Sequence, residues 1–98
     1  MLTSKERANL RAIASKIDPV TQLGMSGITE NFLDGLDKAL SAREIVKITV
    51  LKNSPVMPKE AGEVLAGKLH AEFVAAIGGK VVLYRFSKSK SEHIEIGK

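Results

Sequence analysis

The stretch EFVAAIGGKVVLYRF (residues 72–86) decides the strand arrangement of the fold. Two apolar runs rich in strand-forming residues flank Gly78 and Gly79, and glycines supply the positive φ that a two-residue hairpin turn requires. The stretch therefore predicts two antiparallel strands joined by a tight turn. Lys80 and Arg85 lie on this hairpin, and an arginine can bind a phosphate in a two-pronged geometry.

A further strand is predicted upstream by EIVKITVL (residues 44–51), which is β-branched and bounded by polar residues. One face of this strand carries only apolar side chains. The other face includes Lys47 and Thr49, so we expect it to be only partly covered. A lysine is rarely buried without a partner. Lys47 is therefore either a ligand-binding cation or an edge lysine that discourages strand aggregation.

Helix signals separate the strands. A T-x-x-E capping box at Thr3 begins a first helix of about fourteen residues, which the pair Asp18-Pro19 ends. Thr29 can cap a second helix, and Pro58 suits the first position of a third. The positions predicted to face the core are Leu10, Ile13, Ala14 and Ile17 in the first helix, Phe32, Leu33, Leu36 and Leu40 in the second, and Ala61, Val64, Leu65 and Leu69 in the third.

The predicted order is helix, strand, helix, strand, helix, strand, strand, with a short first strand in PVTQLG (residues 19–24). Helical crossovers of this length favour parallel, right-handed pairing of the first three strands. The glycine turn makes the fourth strand antiparallel to the third. The predicted fold class is therefore α/β, an α+β sandwich with a four-stranded mixed sheet and three helices.

Composition and charge restrict the class of protein. Ninety-eight residues with 44% apolar content fit one globular domain, and the formal net charge is +4. Residues 1–16 hold four basic side chains and one acid, and residues 80–90 hold four basic side chains and no acid. Acids concentrate in residues 29–44, so one face of the fold can be basic and suited to a polyanion. Scattered, solvated lysines explain these counts equally well.

No residue set in the chain indicates an enzyme. Cysteine is absent, the two histidines have no metal-ligand spacing, and neither a P-loop nor a dinucleotide-binding glycine motif occurs. We therefore expect a protein without catalytic activity, cofactor or metal. No apolar run approaches the ~20 residues that a membrane span requires, and the absence of cysteine fits a reducing compartment. The expected location is the cytoplasm.

The stretch LGMSGITE (residues 23–30) places Gly24 and Gly27 directly before the second predicted helix. A G-x-x-G turn lets backbone N–H groups approach a phosphate, and a helix N-terminus favours an anion. The alternative is that Gly24 ends a strand and Gly27 serves a turn, which is the commoner role of loop glycines. Glu30 would also compete with a phosphate for the helix dipole. The spacing alone leaves both interpretations open.

Four stretches occur in a specific order and spacing: LTSKERANLRAIA, PVTQLGMSGITENFL, EIVKITVL and AAIGGKVVLYR. Together they resemble the CRM domain (chloroplast RNA splicing and ribosome maturation), especially its stand-alone bacterial form, the YhbY-type proteins. The resemblance runs from Leu2 to Arg85. It implies one RNA-binding domain over residues 1–86, with a fold similar to the C-terminal domain of translation initiation factor 3. The serine-rich, charged residues 87–98 predict a flexible polar tail, with a weak strand at 93–96.

The resemblance also implies which residues contact RNA. These residues are Gly24, Met25, Ser26, Gly27, Lys47, Lys80 and Arg85. Many relatives carry a cation inside the loop, whereas this chain has Met25 and Ser26 there. Loop contacts would therefore rest on backbone N–H groups and the Ser26 hydroxyl, and surrounding basic residues would supply most of the affinity.

The expected partner is structured ribosomal RNA, bound by a monomeric protein during maturation of the large ribosomal subunit. Phosphate contacts would make this binding depend on salt. The alternative is a protein-interaction module that docks on a ribosomal protein or an assembly factor through its sheet. Replacing the loop glycines separates the two, because only RNA binding should collapse.

Overall fold

The computed structural model describes residues 2–88, and the elements follow the predicted order. They are α1 (Ser4–Ala14), β1 (Thr21–Leu23), α2 (Glu30–Arg43), β2 (Ile45–Val50), α3 (Pro58–Leu69), β3 (Glu72–Ile77) and β4 (Lys80–Tyr84). Residues 89–98, which include most of the predicted tail and its strand at 93–96, lie outside the described residues. No helix within residues 2–88 has the length and apolar character of a membrane span.

The sheet has the strand order β1-β2-β4-β3. β1 pairs with β2 in parallel, whereas β4 is antiparallel to both β2 and β3. The predicted mixed sheet is confirmed. The predicted parallel pairing of the first three strands holds for β1 with β2 but is wrong for β3, whose neighbour in the sheet is β4. Burial gives the physical reason. Residues 81–84 of β4 are all buried, as a central strand requires, while the end of β3 is exposed.

Helices cover the two faces of the sheet unequally. The core on one face joins α2 and α3 to the sheet through side chains such as Leu36, Leu65 and Ile48. On the other face α1 is the only helix that the described residues provide, and it buries Leu10 and Ala14 against β2, β3 and β4. The face under α1 is therefore covered over only part of its area, as the mixed character of β2 predicts.

The helix starts follow their sequence signals. The capping box of Thr3 and Glu6 is formed in both directions, and the Thr29 hydroxyl accepts the Phe32 N–H at 3.0 Å. Pro58 begins α3 as predicted. α1 ends at Ala14, earlier than predicted, because the chain tightens into turns in which the Ile17 N–H donates to the Ala14 carbonyl at 3.2 Å.

One prediction of burial is wrong, and one residue beyond the predicted domain is buried. Val64 is 36% exposed, because α3 turns Gly62 towards the sheet, where a Cβ would lie 2.5 Å from the Phe73 ring. Ser87 is buried although it was predicted to begin the tail. Its N–H donates to Glu44 Oε2 at 2.8 Å and its hydroxyl donates to the Ser41 carbonyl at 2.7 Å. The packed part of the chain therefore extends to Ser87.

Candidate nucleic-acid interface

The G-x-x-G loop connects β1 to α2 and forms one closed turn. The Gly27 N–H donates to the Gly24 carbonyl at 3.0 Å. Gly27 has φ +71°, and a Cβ there would lie 3.0 Å from Cγ of Pro55. The positive φ strains any other residue at this position, and the close contact adds to that cost. Gly27 is therefore a turn residue whatever else the loop does.

Gly24 differs from Gly27 in both respects. Its φ is outside the left-handed region, and a Cβ would meet Cδ1 of Leu51 at 3.5 Å, an ordinary van der Waals distance. The described fold therefore has no steric need for glycine at position 24. Glycine at this position instead leaves the space next to Leu51 and Asn53 without a side chain, and the following residue, Met25, is 75% exposed.

Backbone donors are available around this turn. Within residues 2–88 the N–H groups of Met25 and Ser26 donate to no protein acceptor. α2 begins directly behind the loop, and its N-terminal N–H groups carry the positive end of the helix dipole. The Glu30 carboxylate lies in the same first turn and opposes an anion there, as predicted.

One cation near the loop was missed by the sequence analysis. Lys52 follows β2 and is exposed, and its neighbours Leu51 and Asn53 both lie within 4 Å of a Cβ placed on Gly24. The parallel pairing of β1 with β2 brings the two strand ends to one edge of the sheet. The parallel pairing of the two strands could have predicted this position of Lys52, because loops that follow adjacent parallel strands must lie side by side. Lys52 thus stands next to a loop that has no cation of its own.

Lys47 and Lys80 come together on the partly covered face of the sheet. With Arg11 of α1 they line one groove of about 330 Å³, and its remaining lining residues are Ala14, Ser15, Ile77 and Val82. We call this the basic groove. None of the residues between 2 and 88 that line it is acidic. Across the residues that the structure describes, the side chains of Arg11, Lys47 and Lys80 have neither an ion pair nor a hydrogen bond.

Arg85 lies elsewhere. It follows the end of β4 that pairs with the start of β2, whereas Lys80 lies at the opposite end of β4. Its guanidinium donates to Asp37 Oδ1 at 2.7 Å, to the Leu69 carbonyl at 2.9 Å and to Ser41 Oγ at 3.0 Å. The structure therefore separates Arg85 from the other predicted RNA-contacting residues and uses it to tie α2 and α3 to β4.

Neither titration nor metal binding points to catalysis in the described residues. Burial raises the pKa of the Tyr84 hydroxyl, and the carboxylates of Glu44 and Glu6 add to the shift. This tyrosine belongs to the core beneath α1. No group of three histidine, aspartate or glutamate side chains within residues 2–88 is placed to hold a metal ion.

Comparisons with known proteins agree with this architecture. The model of the CRS1 / YhbY (CRM) domain matches residues 2–85. The chain is 34% identical over 92 residues to the "Probable RNA-binding protein YqeI" of Bacillus subtilis, covering 94% of this chain and 96% of the relative. It is 30% identical over 87 residues to an "RNA-binding protein" of Haemophilus influenzae, covering 89% of this chain and 88% of the relative.

The fold is also similar to a solved structure. The solution structure of the hypothetical protein SAV1595 from Staphylococcus aureus superimposes with a TM-score of 0.83 at 41% identity, covering 98% of this chain and 99% of the other. The family match includes all three helices, all four strands and the G-x-x-G loop. On this evidence the chain belongs to the CRS1/YhbY (CRM) domain family.

Proposed function

We propose that this protein binds RNA through the G-x-x-G loop and the basic groove and acts without catalysis. Its relatives in Bacillus subtilis and Haemophilus influenzae are named RNA-binding proteins. The observation that carries the proposal is the basic groove itself, where Arg11, Lys47 and Lys80 surround an opening that no acidic residue of the described part of the chain lines. Three cations that have no partner within residues 2–88 fit a ligand that brings its own negative charge.

The loop and the groove contribute differently. The loop offers backbone N–H groups and an unobstructed surface at Gly24, which position a phosphate but supply little net charge. The groove and Lys52 supply the charge and hence most of the affinity. Lys47 is half-buried and has no acidic partner within residues 2–88, so a phosphate would supply a counter-charge for its ammonium.

We further propose that the RNA is structured ribosomal RNA, and that binding occurs during maturation of the large ribosomal subunit. This target rests on the family resemblance, since YhbY-type proteins associate with precursors of that subunit. In this proposal the protein acts as a monomer in the cytoplasm. Arg85 is left out of the interface, because its guanidinium is already bonded to three residues of the fold.

The structure sharpens the test of the loop. Gly24→Asp adds a negative charge where the fold tolerates a Cβ, so it should weaken binding to a large-subunit ribosomal RNA transcript at least tenfold without unfolding the protein. Gly27→Asp is a poorer probe, because it strains the turn. Gly67→Asp is the matched control, since a Cβ on Gly67 of α3 meets nothing within 4 Å. Equal affinities of the Gly24→Asp and Gly67→Asp variants in a filter-binding titration would contradict the proposal.

A protein-docking module is the second candidate. Met25 and Met57 are 75% and 72% exposed, and methionine suits adaptable protein interfaces. In that case association with large-subunit precursors would survive ribonuclease digestion and would be lost in a Met25→Ser, Met57→Ser double variant. Loss of the association on ribonuclease treatment, with the double variant unimpaired, would favour RNA binding.

A further inference from the structure

We propose that the basic groove receives one unpaired nucleotide of the bound RNA, with its ring against the groove floor and its phosphate at the rim. This inference rests on the proposed RNA-binding function and adds the class of RNA that the protein prefers. It assigns the groove a role beyond general charge attraction, and it gives Arg11, Ser15 and Ile77 parts in recognition.

The floor of the groove is apolar. Ile77 is 58% exposed although it is a β-branched residue on a strand, and Ala14 and Val82 lie beside it with little exposure. The register explains the placement, because Ile77 pairs with Lys80 and therefore shares a face of the sheet with it. An exposed isoleucine beside three cations suits a ligand that has an apolar surface as well as a negative charge.

The rim supplies both charge and polar contacts. Arg11 is exposed, and a guanidinium plane can stack on a base or bind a phosphate in a bidentate way. The Ser15 hydroxyl donates to the Ala12 carbonyl at 2.7 Å, which leaves its oxygen able to accept a hydrogen bond from a base. Arg11 and Ser15 line the groove from the side of α1. Lys47 of β2 and Lys80 of β4 line it from the side of the sheet.

The shape favours an unpaired nucleotide over a plain duplex. The groove of about 330 Å³ lies at the small end of the range for ligand clefts, which is about 300–1,000 Å³. In a regular A-form duplex the ring faces are stacked inside, so phosphates, sugars and base edges could reach the groove but no ring face could. A duplex would therefore leave Ile77 in water, whereas an extruded base would cover it.

The test compares two RNA probes in fluorescence anisotropy titrations. One probe is a blunt RNA duplex, and the other is the same duplex with one unpaired uridine. We expect the wild-type protein to bind the bulged probe about fivefold more tightly, at the low end of what one stacked base contributes because the floor has no aromatic ring. Ile77→Ser should abolish this preference and leave the affinity for the blunt duplex unchanged. Val64→Ser, a partly exposed aliphatic residue on α3, is the matched control and should keep the preference.

The outcomes distinguish this inference from the function on which it rests. If the wild-type protein binds both probes equally, or if Ile77→Ser keeps the preference, the groove does not hold a base, although RNA binding stands. If the wild-type protein binds neither probe nor a large-subunit ribosomal RNA transcript, the proposed function fails as well.

Two further measurements need no variant. Photocrosslinking with 4-thiouridine at the unpaired position should map to β3 or β4 next to Ile77, and a crosslink confined to α3 would overturn the proposal. A free nucleotide carries the same ring and phosphate as the extruded one. Displacement of the bulged RNA by micromolar adenosine monophosphate would assign the groove to free nucleotides and contradict its assignment to RNA.

Discussion

Arg85 and the basic groove carry the same sign of charge at two ends of one sheet, but their surroundings are opposite. The Arg85 side chain is only 19% exposed and bonds to Asp37, Ser41 and the Leu69 carbonyl. The cations of the groove have no such partners within residues 2–88. The difference teaches how to assign basic residues in an RNA-binding family. A basic side chain that neighbouring helices or strands supply with hydrogen-bond acceptors stabilises the fold, and one without such acceptors is available to a ligand.

The same contrast occurs within α1. Arg7 donates to the carbonyls of Phe73 and Val74, where a register irregularity in β3 leaves both accessible to one side chain. Arg11, four residues later and on the same side of the helix, reaches the groove. Arg7 thereby attaches α1 to β3 and helps to keep Arg11 above the open half of the sheet.

Loss of Arg85 should produce the largest change in stability. Arg85→Ala removes hydrogen bonds from a charged donor to Asp37, Ser41 and Leu69, so we expect the free energy of unfolding to fall by about 2–4 kcal/mol. Arg43→Ala at the exposed end of α2 is the control and should cost less than about 0.5 kcal/mol. Urea denaturation measures both. If the folded Arg85→Ala variant bound RNA tenfold more weakly at low temperature, the contrast with the groove would be wrong.

Arg7 and Arg11 should separate stability from binding. Arg7→Ala leaves two strand carbonyls without their charged donor and should destabilise the protein by about 1–3 kcal/mol. Arg11→Ala should change stability by less than about 0.5 kcal/mol but weaken RNA binding several-fold. Thermal denaturation and a parallel RNA titration check the pair. Equal loss of stability in both variants would remove Arg11 from the proposed interface.

The two loop glycines extend the comparison to uncharged residues. Gly27→Ala forces a Cβ into a left-handed conformation near Pro55, so we expect a loss of about 1–2 kcal/mol in the free energy of unfolding. Gly24→Ala should cost no more than about 0.5 kcal/mol, because its Cβ meets only an ordinary contact. Chemical denaturation measures the stability of both variants. A Gly24→Ala variant less stable than Gly27→Ala would contradict the conclusion that the fold needs glycine at position 27 and not at position 24.

Tyr84 should give the smallest effect, and only at alkaline pH. Because its pKa is raised in the folded state, folding favours the neutral hydroxyl, and this contribution is complete below the ordinary pKa of 10.0. It is lost as the pH rises through the folded-state pKa. Tyr84→Phe removes the titrating group, so stability of the variant should decline less steeply above about pH 10 than that of the wild-type protein. Identical pH profiles in urea denaturation would show that Tyr84 does not titrate with folding.

Local features of the fold were predictable from the sequence, because their causes are local. The Thr3 and Thr29 caps, the Pro58 start and the Gly78-Gly79 turn each depend on a few neighbouring residues. The insertion of β4 between β2 and β3 was not predicted, because it depends on how well β4 is buried on both faces once the helices are packed.

The candidate site was predicted only in part for a related reason. Lys47 and Lys80, two of the residues that the resemblance implies, lie on adjacent strands and line one groove, and their part in RNA binding stays a prediction. The partners of Arg85 come from α2 and α3, between sixteen and forty-eight residues away along the chain, so no local pattern reports them. Lys52 was missed because its closeness to the loop follows from parallel strand pairing and not from its own motif.

The salt dependence of RNA binding tests the central claim most directly. For the wild-type protein, log K should fall linearly with log salt concentration, and the Lys47→Gln, Lys80→Gln double variant should have a slope smaller in magnitude by about 1.4–1.8, as expected when two phosphate contacts are lost. The Lys59→Gln, Lys68→Gln variant, altered at two exposed positions of α3, should keep the wild-type slope. An unchanged slope in the groove variant, or wild-type binding that does not depend on salt, would contradict the account.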